Sequence, residues 1–372
     1  MSTITDGTSR FVGETFGRGA VVLAVVTVQA VAFATAVAVD QPTLYAVFAL
    51  GSAAALVAAS GGGWRGVAAA TVGTLVLWGV LSTVGSLWML VLAPVLLTLA
   101  VGLGSEGSEW TGVAAATLST VLLVALGVPL ALFFVRQDPA LVAEKATNPE
   151  VHQMLVLSVY APLLAALAAL VCGVPLAYLL REGFPGQALV ESLVDLPLVV
   201  PHSVAGLIVL FGFGRGAAFS DIRVLGTLVG MVIALTFVSA PFAVNAAREA
   251  FETVDSRLEF AARAHGASRF SSFVRVTLPL AARGILTGGV MAWARAVSEF
   301  GAVAVVAYTV QNYVSPLTLE ETSAQHAPVY IFNTYTSQGL PESGAVATLL
   351  LLLSAGIFLL VRWAAYDDGG IL

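Results

Sequence analysis

Charged residues are scarce in this sequence, and their scarcity excludes an ordinary soluble domain. Only 10% of the 372 residues are Asp, Glu, Lys or Arg, and 58% are hydrophobic, whereas soluble domains carry about 25% charged residues. A helix needs about 20 apolar residues to cross a bilayer. Runs without charge occur at 19–39, 41–64, 66–105, 110–135, 151–180, 196–214, 224–247, 300–319 and 343–361. Since these runs are continuous rather than alternating, as barrel strands would be, we predict an all-α integral membrane protein.

Lysine and cysteine are almost missing, and each absence excludes a class of site. The one lysine, Lys145, lies in "LVAEKAT", so the chain has no phosphate-binding loop, which requires a lysine. A lone Cys172 cannot form an internal disulfide and is interpreted as a packing residue. The sequence has no H-E-x-x-H, no G-x-S-x-G and no His/Cys/Asp cluster with metal spacing. We therefore expect no catalytic residues, no metal, no cofactor and no nucleic-acid partner.

The hydrophobic pattern predicts a polytopic bundle of about ten spans. They are 20–38, 43–60, 66–82, 86–104, 112–135, 155–180, 188–212, 224–242, 284–308 and 344–363. Arg and Lys in short loops favour the cytoplasm, so the arginine-rich segment 243–283 should be cytoplasmic. Counting outward from it places both termini inside, in the multi-pass arrangement of a cell-membrane protein. We expect the first apolar stretch to be retained, because it is longer than the core of a cleaved signal peptide.

The chain divides by character into three predicted parts. Residues 1–104 are rich in Ala, Val, Leu and Gly, and they predict extra membrane helices without an assigned role. Residues 105–150 predict a first core helix followed by an external loop. Residues 151–363 contain the paired prolines, the basic segment and the ionisable groups within spans, so we expect the function to lie there.

The basic segment 243–283, called the basic insert, predicts two short helices joined by a glycine. Ser256 and Glu259 fit a capping box that starts the first helix, and Gly266 is suited to end it. Ser268 can cap the second helix, and Leu278-Pro279 should end it, because the residue before proline avoids helical angles. Two interpretations remain open from these residues: a surface helix at the lipid headgroups, or a projection that docks into a groove of a soluble partner.

Two features inside predicted spans are candidates for a transport path. Pro197 and Pro201 each remove a backbone hydrogen bond, which favours a broken helix with Ser203 near the break; a kink absorbed by neighbouring helices is the alternative. Arg295 and Glu299 are one turn apart within a span, where ionisable groups are costly and often pair. They form either a structural ion pair or, with Ser298, part of a gate.

The segment 309–343 is predicted to be external and contains neither Lys nor Arg. It carries Glu320, Glu321 and Glu342, which makes it a poor landing site for an anion. His326 has no ligand partners at metal spacing and is interpreted as a surface residue.

The basic insert resembles the cytoplasmic loop of type I ABC importer permeases, written E-A-A, three residues, Gly, nine residues, I-x-L-P. Ala261 and Ala262 match the alanines, Gly266 the glycine, and Leu278-Pro279 the closing pair. Val276 replaces the isoleucine. Phe260 replaces the glutamate, with Glu259 one position earlier. The stretches "GVPLAYLLREGFPG" (173–186), "DLPLVVPHSVAG" (195–206) and "SEFGAVAVVAY" (298–308) are similar to the molybdate/tungstate branch, with sulfate permeases as near relatives. The resemblance covers roughly 151–363.

The resemblance implies a transport subunit that has no enzymatic activity of its own. Its partners would be an ABC ATPase subunit that binds the insert, an extracytoplasmic substrate-binding protein, a second copy of the permease and membrane lipid. The cargo would be an oxyanion, tungstate or molybdate first. The alternative is an ATP-independent secondary transporter or channel that uses the Arg295/Glu299 pair. Such transporters often have paired broken helices, and the sequence indicates only one clear break.

Overall fold

The computed structural model describes residues 132–214 and 216–366, together with isolated positions between 72 and 130. Four predicted spans, 20–38, 43–60, 66–82 and 86–104, and most of 112–135 lie outside the described residues. The architecture below is that of the unit from Gln137 onward.

Helices dominate the described part of the chain. The first five are α1 (Pro139–Ala146), α2 (Pro149–Glu182), α3 (Gln187–Val199), α4 (His202–Phe213) and α5 (Leu228–Glu252). The middle of the basic insert forms α6 (Ser256–Ala264), α7 (Arg269–Ser272) and a π-helical turn (Phe273–Thr277), whereas its first residues, 243–252, belong to α5. The remainder comprises α8 (Leu278–Val297), α9 (Gly301–Val306), β1 (Val310–Val314), β2 (Glu321–Ala324), α10 (Ala327–Gln338) and α11 (Leu340–Tyr366).

Four described helices are long and apolar enough to cross a membrane: α2, α5, the helix from Arg269 to Val297, and α11 up to Val361. A fifth crossing is formed if α3 and α4, which are bent by 120° at their junction, are one broken span. The predicted spans 155–180 and 344–363 thus coincide with helices of sufficient length, and 188–212 contains the expected break. The span predicted at 224–242 ends too early, because α5 continues to Glu252. The predicted span 284–308 is wrong in one respect, because the helix stops at Val297 and resumes at Gly301.

Glycines let α8 approach its neighbours closely. A Cβ on Gly284 would lie 2.5 Å from the Ala250 Cβ of α5, and one on Gly288 would lie 2.8 Å from the Ala246 Cβ. Gly289 meets Leu170 of α2 in the same way, at 2.7 Å. Lipid tails are as apolar as leucine, so membrane helices associate through such close packing of small residues. Gly284 and Gly288 form a G-x-x-x-G motif, which is a sequence signal for such packing.

The segment after α9 departs from the all-helical prediction. β1 and β2 form an antiparallel hairpin, in which Val310 pairs with Ala324 and Tyr313 pairs with Thr322. Short backbone hydrogen bonds connect this hairpin to the end of α9: Gln311 N–H donates to Gly226 O, and Gly226 N–H donates to Val306 O, each at 2.9 Å. Residues 309–338, the hairpin and α10, are called the outer segment below.

Candidate functional site

The first helix of the insert begins one residue earlier than the capping box predicts. The side chain of Asp255 accepts a hydrogen bond from Arg257 N at 2.9 Å, so Asp255 is the N-cap of α6. The capping role assigned to Ser256 and Glu259 is therefore wrong. Two adjacent residues could each serve as the cap, and the aspartate takes the position because the Glu259 carboxylate is bound elsewhere.

The predicted end of α6 at Gly266 is confirmed. Gly266 has a φ of 91°, which glycine tolerates without the steric penalty of a Cβ. Ala267 N–H bonds to Ala262 O at 3.1 Å, and Gly266 N–H bonds to Arg263 O at 3.0 Å. This pair of bonds is the Schellman motif, which satisfies carbonyls left free at a helix end.

The second helix starts as predicted but does not end where proline was expected to end it. The Ser268 Oγ accepts a hydrogen bond from Ser271 N at 3.1 Å. Instead of ending at Leu278-Pro279, the chain passes through the π-helical turn, in which Leu278 N–H reaches back to Phe273 O, and continues directly into α8. Pro279 follows this turn directly; because proline lacks an N–H and its ring crowds the preceding turn, the wider π-helical turn before it is where the helix accommodates the ring.

The carboxylate of Glu259 ties the insert to both neighbouring spans. Its Oε1 accepts hydrogen bonds from Arg181 Nη1 at 2.6 Å and from the Thr277 hydroxyl, and its Oε2 lies 3.4 Å from the Tyr178 hydroxyl. Arg181 also donates to Val254 O at 3.2 Å. Arg181 and Tyr178 belong to the end of α2, and Thr277 immediately precedes α8. These residues, called the Glu259 cluster, join the insert to the ends of two helices.

The environment of Glu259 favours the charged form. Burial raises the pKa of its carboxyl group, but the hydrogen bonds from Thr277 and Arg181 and the charge of Arg181 outweigh burial, so the pKa is lowered from its ordinary value. The cluster rests on the packed rings of Tyr178, Phe251 and Phe273. The local pattern of residues does not indicate Arg181 as the partner of Glu259, although an arginine at the insert end of a span was the available signal.

The opposite face of the insert is uncovered in the described chain. Phe260 and Phe270 are 73% and 76% exposed, and Leu258 is also exposed. Ala261 is exposed, whereas Ala262 is half-buried. Glu259 turns inward, and Phe260 therefore takes the outward position next to the alanines.

The predicted break around Pro201 is confirmed. Pro197 is buried inside α3, and α4 begins at His202 directly after Pro201. No side chain caps the start of α4, and Ser203 is exposed there. Before the break in sequence, Asp195 of α3 accepts a hydrogen bond from the Asn245 side chain of α5 at 2.8 Å, which holds α3 against α5.

A second break, without a proline, meets the first one. Arg295 Nη2 lies 2.7 Å from Glu299 Oε2, so the predicted ion pair is confirmed, and it lies 2.6 Å from His202 Nδ1. Glu299 is 1% exposed, and its other oxygen accepts from Ala302 N at 2.9 Å, which caps the start of α9. Ser298 is exposed and donates its hydroxyl to Arg295 O at 2.9 Å. These three residues, His202, Arg295 and Glu299, are called the Glu299 cluster. They connect the end of α8 and the start of α9 to the start of α4.

Close backbone contact holds α4 and α9 together beside this cluster. A Cβ on Gly206 would lie 2.8 Å from the carbonyl oxygen of Ala302. A Cβ on Gly301 would lie 2.8 Å from the His202 Cβ and 2.9 Å from Ser203 N. These distances are too short for any side chain, so the two helices must separate if either glycine is replaced.

We predict that Gly206→Ala lowers the free energy of unfolding by about 1–3 kcal/mol, the usual cost of overpacking. Gly212→Ala, in the same helix, is the matched control, because a Cβ at Gly212 meets no atom within 4 Å. Its effect should stay within about 1 kcal/mol of the native chain, since alanine is the better helix former. Thermal unfolding in detergent measures both, and equal effects of the two variants would contradict the close contact.

The prediction that His326 is a surface residue is wrong. The side chain is fully buried, and its Nε2 lies 3.3 Å from Ala296 O of α8. Burial lowers its pKa from 6.5 to about 4, against the opposing effect of hydrogen bonds to Ala296 and Val297. The sequence around it is polar, and the packing of the outer segment onto α2 and α11, together with the bond to Ala296 of α8, is what removes it from solvent.

Residues 169–368 match the family described as "Binding-protein-dependent transport system inner membrane component". The chain is 39% identical over 245 residues to the molybdate/tungstate transport system permease protein WtpB of Thermococcus kodakarensis, covering 65% of this chain and 91% of that protein. It is 31% identical over 254 residues to a probable sulfate transport system permease protein of Nephroselmis olivacea, covering 65% and 85%.

A solved structure shares the fold at low sequence identity. It is the crystal structure of a bacterial ABC transporter involved in the import of the acidic polysaccharide alginate. The TM-score is 0.52 with 16% identity, over 69% of this chain and 96% of that one.

Proposed function

Because the chain belongs to the family of binding-protein-dependent transport inner membrane components, the permeases of type I ABC importers, we propose that it carries a tetrahedral oxyanion across the cell membrane. Molybdate or tungstate is the proposed cargo, because permeases named for these anions are similar to this chain over most of their own length. ATP hydrolysis takes place on a separate ATPase subunit, and an extracytoplasmic binding protein delivers the anion.

The Glu259 cluster is the observation that supports this coupling best. An insert that moves with an ATPase must be fixed to the spans that it drives, and Glu259 fixes α6 to the ends of α2 and α8. The exposed Ala261 and the αL turn at Gly266 leave the outer face of α6 open to a partner. The ATPase contact is therefore assigned to this face, with Leu278 and Pro279 forming the start of the driven helix.

The two helix breaks are the proposed substrate path. A free helix start and a positively charged side chain favour an anion, and the Glu299 cluster offers Arg295 beside the start of α4. In the closed state Glu299 neutralises Arg295 and holds α8, α9 and α4 together. Pro201, Ser203 and Ser298 lie at the two breaks, and Pro197 is buried in α3 one turn before the first of them.

The remaining architecture is proposed from the sequence and the family. About ten spans, both termini in the cytoplasm and a cytoplasmic insert agree with the distribution of arginine. Residues 1–104 form an extra helical part, 105–150 a first core helix and external loop, and 151–363 the permease core. Two copies of the core, surrounded by lipid, enclose one path.

An ATP-independent transporter is the second candidate, and the second break at 298–300 favours it, since paired broken helices occur in such proteins. The deciding experiment reconstitutes the chain in liposomes with and without the ATPase subunit and the binding protein of its system. We expect molybdate or tungstate uptake and stimulated ATP hydrolysis only in the full assembly. Uptake by the permease alone, without ATP, would replace the importer by the second candidate.

The contact with the ATPase can be tested at Gly266, where a Cβ would meet no atom of this chain within 4 Å. Ala and Trp at this position share the same cost of a positive φ, about 1–2 kcal/mol, but only Trp fills the space outside. We predict that Gly266→Trp loses co-purification with the ATPase subunit, whereas Gly266→Ala retains it. Loss with both variants would indicate backbone strain instead of a contact surface.

A further inference from the structure

The last turn of α8 lacks its ordinary hydrogen-bond partners because the helix stops at Val297. Helix ends leave four carbonyls without donors from the next turn. Ser298 supplies two donors here: its N–H bonds to Ala294 O at 3.3 Å and its hydroxyl to Arg295 O at 2.9 Å. Glu299 N–H bonds to Ala296 O at 3.2 Å. All of these donors belong to the break itself.

His326 is the one long-range donor described for this turn, and it comes from the outer segment. Its Nε2 lies 3.3 Å from Ala296 O, 30 residues away in sequence. The next residue, Ala327, donates its N–H to the buried Ser158 Oγ of α2 at 2.7 Å. Two consecutive residues at the start of α10 therefore connect the outer segment to two different spans.

The imidazole is held in one state in this position. With a pKa of about 4, the ring is neutral near pH 7 and has a single N–H. Because the atom next to Ala296 O must donate, that hydrogen is on Nε2, and Nδ1 is an acceptor. Nδ1 has no hydrogen-bond partner although it is buried. Buried polar atoms usually have partners, so an apolar ring would fill this site with less difficulty if packing were the only requirement.

We propose that His326 is a positioning residue that transmits movement of the outer segment to the break at residues 298–300. It rests on the proposed function, in which a binding protein docks on the external side. When docking displaces α10, the bond to Ala296 O pulls on the last turn of α8, three residues before Glu299. The hairpin is connected to the far end of α9, the helix that follows the break. Gly226 accepts a hydrogen bond from Gln311 N–H of the hairpin and donates one to Val306 O of α9. The ion pair that closes the path is thereby made sensitive to an event on the outer surface.

Three variants in the reconstituted complex with ATPase subunit and binding protein test this inference. His326→Phe fills the site but cannot donate, and His326→Gln restores a donor near the Nε2 position. Ser158→Ala removes the neighbouring bond to α2 and leaves His326 in place, so it is the control for general loosening of α10. The measurements are basal ATP hydrolysis, its stimulation by molybdate-loaded binding protein, and thermal stability of each complex.

We expect His326→Phe to reduce the stimulation about tenfold, within the range of typical allosteric coupling, while assembly and basal hydrolysis persist. His326→Gln and Ser158→Ala should keep most of the stimulation. Native stimulation in His326→Phe, or an equal loss in Ser158→Ala, would overturn the inference and leave the importer assignment intact. Absence of stimulation in the native complex would instead overturn the proposed function, and this inference with it.

Discussion

Glu259→Gln is expected to uncouple ATP hydrolysis from transport while the membrane helices stay folded. The substitution removes the charge that pairs with Arg181 at 2.6 Å, where both side chains are nearly buried. Breaking a buried pair by removing one partner costs about 3–5 kcal/mol, and the residual exposure of this pair places the cost at about 3 kcal/mol. The cost falls on the attachment of α6 to the ends of α2 and α8. We expect ATP-driven uptake in liposomes to fall at least about tenfold, which corresponds to 1.4 kcal/mol or more.

Glu182→Gln is the matched control for this experiment. Glu182 pairs with Arg269 at 3.5 Å across the same end of α2, but both side chains are well exposed, and such pairs contribute about 0–1 kcal/mol. Uptake by this variant should stay within about twofold of the native chain. Hydrogen exchange over residues 253–277 should increase only in Glu259→Gln. Equal uptake and equal exchange in the two variants would contradict the attachment role of Glu259.

The lowered pKa of Glu259 sets the pH range in which this attachment persists. A carboxylate whose folded pKa is depressed contributes stability above its ordinary pKa of 4.5, and the contribution disappears as the pH falls through the lower folded value. Coupling is therefore insensitive to this group at neutral pH.

Glu299→Gln is expected to open the path in the absence of ATP. Glutamine can still accept from Ala302 N, so α9 keeps its cap, but Arg295 loses its neutralising partner at 2.7 Å. The Arg295 side chain is still 19% exposed, so the loss of its counter-charge costs about 1–3 kcal/mol, and the closed state bears that cost. We expect efflux of molybdate from preloaded liposomes, without ATP, to rise about tenfold or more, since a closed state less stable by this amount is less populated.

Glu252→Gln is the control for the efflux experiment, because it also removes the acidic partner of an arginine four residues earlier in a helix. Arg248 and Glu252 have the same order and spacing as Arg295 and Glu299, with N···O at 2.9 Å, but they lie at the exposed end of α5. Efflux from this variant should equal that of the native chain. If Glu299→Gln also retained native efflux, the ion pair would be a structural element of the bundle and not part of a gate.

The features that depend on neighbouring residues could be predicted from the sequence. The break at Pro201 follows from a missing N–H, and the turn at Gly266 follows from the freedom of glycine at positive φ. The pair of Arg295 and Glu299 follows from helical spacing and the cost of a lone charge in a span. These features were predictable because a few consecutive residues determine each of them.

Features that depend on contacts between residues far apart in the sequence could not be predicted from the sequence. The break at 298–300 has no proline, and it is stabilised by contacts of Glu299 and Gly301 with His202, almost a hundred residues earlier. The inward turn of Glu259 depends on Arg181, 78 residues earlier, so local spacing indicated a capping box instead. His326 is buried because the outer segment packs onto α2 and α11, although the polar residues around it indicated a surface position. In each case a long-range contact outweighed the local preference.

The helix that runs without interruption from Arg269 to Val297 carries one glutamate-bound residue near each end. Thr277 bonds to Glu259, and Arg295 bonds to Glu299. Eighteen residues at about 1.5 Å each separate these two points by about 27 Å, most of the thickness of a bilayer. Gly284, Gly288 and Gly289 hold this helix close to α5 and α2 between the two points. Under the proposed function, the ATPase contact and the gate lie at the two ends of one helix, so a substitution that bends this helix between Thr277 and Arg295 should impair both.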